Sequence, residues 1–208
     1  MLIDANGPGF CAGHDLKEMR ANPGTAFREE TFATCSRLMQ RITTLRQPVI
    51  AMVRGIATAA GCQLVATCDL ALAADRARFG TPGVNIGLFC STPMVALSRA
   101  VGRKQAMEML LTGEMIPATR AAEIGLINRC VAEADLERDC LSLAELVASK
   151  SPLVLKTGKE AFYRQVEMDL AEAYDYCARI MVENMAYRDA EEGISAFIEK
   201  RKPEWTGE

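Results

Sequence analysis

The sequence predicts an α/β fold with a strand-and-helix core in its earlier part and a purely helical segment at its end. Three observations predict it. Short apolar runs of strand length, each closed by a turn of small residues, recur as far as residue 131. Apolar residues at three- and four-residue spacing lie between these runs, as in amphipathic helices. From residue 134 onward only the helical spacing persists. We therefore divide the chain into a core, 1–133, and a helical segment, 134–208, that packs on its own core or on another subunit.

Taken in order, Met1 to Ala5 reads as a strand that runs directly into the turn Asn6-Gly7-Pro8-Gly9. No earlier element is present to pair with it, so upstream strands are expected to be missing from this chain. Ala26 to Leu45 carries Phe27, Ala33, Cys35, Leu38, Met39 and Ile42 at helical spacing, and Pro48 then opens a buried strand, Val49 to Val53. A small-residue loop, Gly55 to Gly61, leads into a helix over Ala60 to Thr67. Asp69 to Ala74 and Arg78 to Gly80 read as strands, Pro93 to Ala100 and Arg103 to Leu111 as helices, and Ile127 to Val131 as the last strand. The remainder reads as four amphipathic helices: Asp135 to Ser149, Pro152 to Gln165, Leu170 to Met185 and Asp189 to Lys200.

Composition narrows the function. With 208 residues, half of them apolar, the chain can bury a substantial core in one main domain. A formal charge of −3 gives no basic field, so neither nucleic acid nor an anionic membrane is an expected partner. The most apolar stretch, Ile56 to Ala74, contains Gln63 and Asp69 and is broken by Gly61, which argues against a membrane span. Eight cysteines at irregular spacing suit small buried thiols in a reducing compartment. One histidine and no short Cys/His spacing leave no expected metal site.

Two segments carry the chemistry: Phe10-Cys-Ala-Gly-His-Asp-Leu-Lys-Glu-Met19, and Pro48 to Asp69 with Gly-Ile-Ala-Thr-Ala-Ala-Gly-Cys-Gln at its centre. Each couples a strand, a tight loop and a helix start. A helix start presents unpaired N–H groups at the positive end of its dipole, which suits an anionic oxygen. Small residues let a ligand approach that backbone.

With Phe79-Gly-Thr-Pro-Gly-Val-Asn-Ile-Gly87 as a third, these segments resemble the signature regions of the crotonase (enoyl-CoA hydratase/isomerase) superfamily. The likeness runs from residue 1 to the end and is nearest to the family's enoyl-CoA-hydratase-domain-containing subgroup of mitochondria and its bacterial relatives. The resemblance implies a crotonase-like ββα spiral core with a C-terminal helical trimerisation segment. It implies an acyl-CoA partner, with coenzyme A as part of the substrate and no separate cofactor, and a homotrimer or hexamer. The implied compartment is the cytoplasm in a bacterium or the mitochondrial matrix. Two backbone amides that bind a thioester oxygen would be those of His14 and Ala60. Ala12, Gly13, Asp15 and Leu16 would contact CoA, and Phe197 and Lys200 would reach the CoA of a neighbouring subunit. The His14 imidazole reads rather as a local hydrogen-bonding group beside Asp15 than as a base.

The resemblance breaks where the family carries acids. Its two hydratase glutamates fall on Gln63 and Gly83, and a further carboxylate used by some members falls on Ser91. Gln63 can orient water but cannot take its proton, so ordinary hydration is expected to be weak while carbonyl polarisation survives. Gly13 to Asp15 and Val84-Asn85 also resemble the family's methylmalonyl-CoA decarboxylases, although their tyrosine aligns here with Cys90. Cys90 and Ser91 either line an acyl pocket or are simply small packed residues. The readings left open are an enzyme acting on an acyl-CoA by hydration, isomerisation or decarboxylation, and a non-catalytic acyl-CoA-binding protein.

Overall fold

The computed structural model describes all 208 residues, and the predicted α/β architecture is realised as a spiral of ββα repeats. The first repeat comprises β1 (Leu2–Ile3), β2 (Gly9–Cys11), α1 (Leu16–Ala21) and α2 (Thr25–Thr44). The second is β3 (Ile50–Val53), β4 (Ile56–Thr58) and α3 (Ala60–Thr67). The third is β5 (Leu70–Ala74), β6 (Arg78–Gly80), a 3₁₀ turn (Pro82–Ile86), α4 (Ser91–Ala100) and α5 (Arg103–Thr112). β7 (Ile116–Pro117), α6 (Ala118–Glu123) and β8 (Arg129–Val131) follow.

Each repeat sends its first strand to one sheet and its second to another. The orders are β1-β3-β5-β8, parallel throughout, and β2-β4-β6-β7, with β7 antiparallel. The opening strand lies at the edge of its sheet and pairs only with a later one, Leu2 with Ile50 and Ile3 with Ala51, one turn of the spiral on. Every residue of β3 is buried, as the unbroken apolar run Ile-Ala-Met-Val requires of a parallel strand covered on both faces. Asp69 ties the entries of β3 and β5 together: its carboxylate accepts from the Val49 amide at 2.6 Å.

Contacts divide the chain into residues 1–42 with 49–141, and residues 43–48 with 142–208. The first unit holds both sheets and the core around Phe79, Leu97 and Leu110. The second receives the end of α7 (Leu136–Ala148) and contains α8 (Pro152–Gln165), α9 (Leu170–Met185) and α10 (Arg188–Glu199). Ser151 caps α8 and Pro152 opens it, while Asp169 caps α9 through the Glu172 amide.

After α10 the chain doubles back along its own helix. Arg201 makes two bonds to the Glu192 carboxylate at 2.6 and 2.8 Å, and the Trp205 indole donates to the Ser149 carbonyl at 2.8 Å. Thr206 and Gly207 donate to Asp189, which is 2% exposed and also accepts from Ser151. No helix is long and apolar enough to cross a membrane.

Candidate functional site

Two strand-to-helix turns of the first unit meet face to face. In the first, β2 ends at Cys11 and α1 begins at Leu16, with the Asp15 side chain accepting from the Lys17 amide at 2.8 Å and the Glu18 amide at 3.4 Å. Gly13 lies between them at φ +90°, a conformation L side chains rarely adopt. In the second, β4 ends at Thr58, Ala59 takes the unusual φ of 51°, and α3 starts at Ala60. A Cβ on Gly13 would lie 3.1 Å from the Ala59 Cβ and 3.2 Å from the Ala60 nitrogen. Any Cβ on Gly61 would overlap the Cys11 carbonyl. Glycine at both positions lets the two backbones touch.

The Ala60 amide is the first of α3 and has no acceptor within the helix, so it sits at the positive end of the dipole. The His14 amide follows the Gly13 turn that touches it. Thus the two amides singled out in the sequence lie on adjoining backbone segments. Ala59 is held by its own amide, which donates to the Gly80 carbonyl of β6 at 2.9 Å.

Gln63 lies one helical turn after Ala60 and is 4% exposed. Its backbone is fixed at both ends, by Gln63 N to the Ala59 carbonyl at 3.0 Å and by the Thr67 hydroxyl to the Gln63 carbonyl at 2.7 Å. Its side-chain oxygen faces the Cys35 thiol of α2 at 4.0 Å. Burial and then the neighbouring Cys11 push the Cys35 thiol upward, so it stays protonated at neutral pH. Burial drives Cys62 to about 12, against a partly offsetting hydrogen bond from the Gly80 amide. These thiols are not nucleophiles in this setting.

Gly83 belongs to the 3₁₀ turn and packs against the next loop: a Cβ there would lie 2.7 Å from the Leu88 carbonyl and 2.9 Å from the Cys90 sulfur. Cys90 is buried, whereas Ser91 is exposed as the first residue of α4, with its hydroxyl turned to the Phe89 carbonyl at 3.4 Å. Ala12, Asp15 and Leu16 are exposed on the first turn. The His14 side chain, read as a local hydrogen-bonding group, makes a ring contact here. Its ring packs edge-on against Phe32 at 5.1 Å, and Asp15 spends its carboxylate on capping α1.

Phe197 and Lys200 belong to the second unit. Phe197 is 85% exposed near the end of α10, and Lys200 closes that helix at φ 57°. Sequence reasoning missed Cys35, which reads as one more apolar position of a long helix, and Thr58, whose hydroxyl is buried without a hydrogen-bond partner. Only the register of β4 against β6, Thr58 beside Gly80, reveals the latter. No cluster of three or more His, Cys, Asp or Glu side chains could hold a metal.

Comparison with known proteins identifies the family and the fold. The family described as enoyl-CoA hydratase/isomerase matches residues 2–208. Human mitochondrial enoyl-CoA hydratase domain-containing protein 3 is 52% identical over 208 residues, covering 100% of this chain and 69% of that protein. The crystal structure of the human protein superimposes with a TM-score of 0.95 at 53% identity, over 98% of this chain and 81% of that one. That of an enoyl-CoA hydratase from Mycobacterium smegmatis gives a TM-score of 0.96 at 52% identity, over 98% and 79%.

Proposed function

The chain belongs to the enoyl-CoA hydratase/isomerase family, and from that premise we propose that it binds an acyl-CoA thioester with the carbonyl oxygen between the amides of His14 and Ala60. The observation that carries this reading is the contact of the two turns, with Gly13 against the Ala60 nitrogen. Two preorganised donors aimed at one oxygen stabilise the negative charge that gathers there when an enolate forms. Ala12, Gly13, Asp15 and Leu16 line the approach of the CoA, which is itself part of the substrate.

Gln63 and Gly83 offer no carboxylate at the positions where water would be activated, so hydration of crotonyl-CoA is weak in this reading. Reactions that form an enolate without a side-chain base fit the site better. Loss of carbon dioxide from a malonyl-type thioester is one: the bond from C2 to the carboxyl carbon breaks, its electron pair enters the enolate, and carbon dioxide leaves. The missing carboxylates equally favour a second reading, a non-catalytic acyl-CoA-binding protein, and turnover of malonyl- or crotonyl-CoA separates the two.

Calorimetry with acetyl-CoA and its thioether analogue ethyl-CoA tests the common core of both readings. We expect the thioester to bind at least about tenfold tighter, the effect of hydrogen bonds to a polarised oxygen. Equal affinities would overturn the reading. The human relative is mitochondrial and the smegmatis relative bacterial, so the matrix and the bacterial cytoplasm are the two compartments in keeping with it. Trimeric or hexameric assembly is part of the proposal, motivated by the exposed Phe197, Val182 and Tyr174 of the second unit, and light scattering checks it.

A further inference from the structure

We propose that Cys35 orients the Gln63 amide so that its NH₂ faces the acyl group, making the site selective for thioesters that carry an acceptor oxygen on acyl C3. The inference rests on the reading above, in which the thioester oxygen lies between the His14 and Ala60 amides.

The argument begins with the direction of one weak bond. The Cys35 sulfur stands 4.0 Å from Gln63 Oε1, a distance at which sulfur, with its larger radius, still interacts. Burial keeps this thiol protonated, and a protonated thiol donates one hydrogen while accepting poorly. With the amide reversed, two N–H donors would face that S–H group and the amide oxygen would lose its partner. At 4% exposure Gln63 has little water with which to make up the loss. The thiol therefore selects the orientation with Oε1 toward α2, and the planar amide carries its NH₂ on the side away from α2.

The helix then decides what this NH₂ meets. Ala60 and Gln63 are three residues apart on α3 and share one face. The bonds from the Gln63 amide to the Ala59 carbonyl and from the Thr67 hydroxyl to the Gln63 carbonyl hold its backbone on that face. The site thus offers two amides for the thioester oxygen and a third donor one helical turn away. A saturated acyl chain leaves that donor without an acceptor at a buried position, which costs affinity, whereas an oxygen on C3 satisfies it. Both a 3-oxoacyl and a malonyl thioester carry one.

The test is calorimetry with butyryl-CoA, acetoacetyl-CoA and malonyl-CoA on the whole protein and on Gln63→Met, Cys35→Ala and Cys35→Ser. The expected result is that acetoacetyl-CoA or malonyl-CoA binds about three- to tenfold tighter than butyryl-CoA. Preference for acetoacetyl-CoA alone assigns a keto oxygen, and preference for malonyl-CoA alone a carboxylate. Gln63→Met, which keeps the length of the side chain but removes the donor, should lose the preference, with butyryl-CoA gaining affinity and acetoacetyl-CoA or malonyl-CoA losing it until the three bind alike. Cys35→Ala should reduce it, and Cys35→Ser, whose hydroxyl both donates and accepts, should keep it only in part. A merely structural role for Cys35 would lower all three affinities together. Butyryl-CoA binding as tightly as the other two would overturn the inference and leave the thioester reading intact. Binding of none of them would overturn the thioester reading itself. An unchanged preference in folded Cys35→Ala would remove Cys35 from the account.

Discussion

Gly13 and Ala60 stand so close that a methyl group on the first would lie 3.2 Å from the amide nitrogen of the second. Gly13 also holds φ +90°, so Gly13→Ala suffers twice: the backbone conformation is strained, and the added carbon presses the two turns apart. A loss of about 1–3 kcal/mol in urea unfolding is expected, with weaker acetyl-CoA binding in calorimetry. A variant with unaltered stability and affinity would mean that the contact is not needed.

Restoring carboxylates should not by itself restore hydration. Gln63→Glu puts an acid in a buried position, but no second acid follows from Gly83, whose Cβ would meet the Leu88 carbonyl at 2.7 Å. Gly83→Ala should destabilise by about 1–3 kcal/mol, because Leu88 to Cys90 must shift. Crotonyl-CoA hydration in Gln63→Glu is expected to stay far below that of a competent hydratase, measured by loss of enoyl absorbance. A competent rate from the single mutant would contradict this.

Thr58→Val is expected to stabilise the protein. Valine has nearly the shape of threonine, and the hydroxyl it removes is buried with no hydrogen-bond partner. The gain should be about 1 kcal/mol, read as a higher denaturation midpoint at unchanged slope. A loss of similar size would show that the hydroxyl has a partner in solution.

Acid should release the C-terminal strap before the rest of the molecule. The hydrogen bonds from Arg201 and from the Glu204 amide hold Glu192 at about 2, below its ordinary 4.5. Asp189 is raised by burial, yet the bonds from Ser151, Thr206 and Gly207 outweigh that and leave it below the usual range. Both are depressed groups, so their stabilisation is complete above pH 4.5 and is lost as pH falls toward 2. Trp205, the single tryptophan, sits in the strap and reports its release by fluorescence. Arg201→Gln should move the transition to higher pH; a transition at the same pH would count against the pair.

Lys200 is one of two non-glycine residues at positive φ and ends α10 where glycine is usual. Lys200→Gly should therefore cost no stability and add up to about 1 kcal/mol in thermal unfolding. If Lys200 also reaches CoA, that variant binds acetyl-CoA more weakly while melting no lower. Equal affinity would assign the residue to the helix end alone.

The sequence alone determined the longer elements and the chemistry of the two turns, but it read β4, Ile56–Thr58, as loop and left α6, Ala118–Glu123, unassigned. Ala60–Thr67 and Pro152–Gln165 could be placed because periodicity, prolines and small-residue loops act within a few residues. The amides of His14 and Ala60 could be singled out because a strand, a tight turn and a helix start are written locally. Only the tertiary structure decided what meets what. Leu2 pairs with Ile50, forty-eight positions later, through the ~5 Å spacing of parallel strands, which no local pattern encodes. Asp15 caps its own helix through the Lys17 and Glu18 amides, and His14 meets Phe32 of a separate helix. Cys35 reaches Gln63 from a separate helix, and Gly83 is crowded by the Leu88 carbonyl and the Cys90 sulfur. These are contacts between segments distant in the chain, and they are fixed by packing, which sums over the whole core rather than over any one stretch of residues.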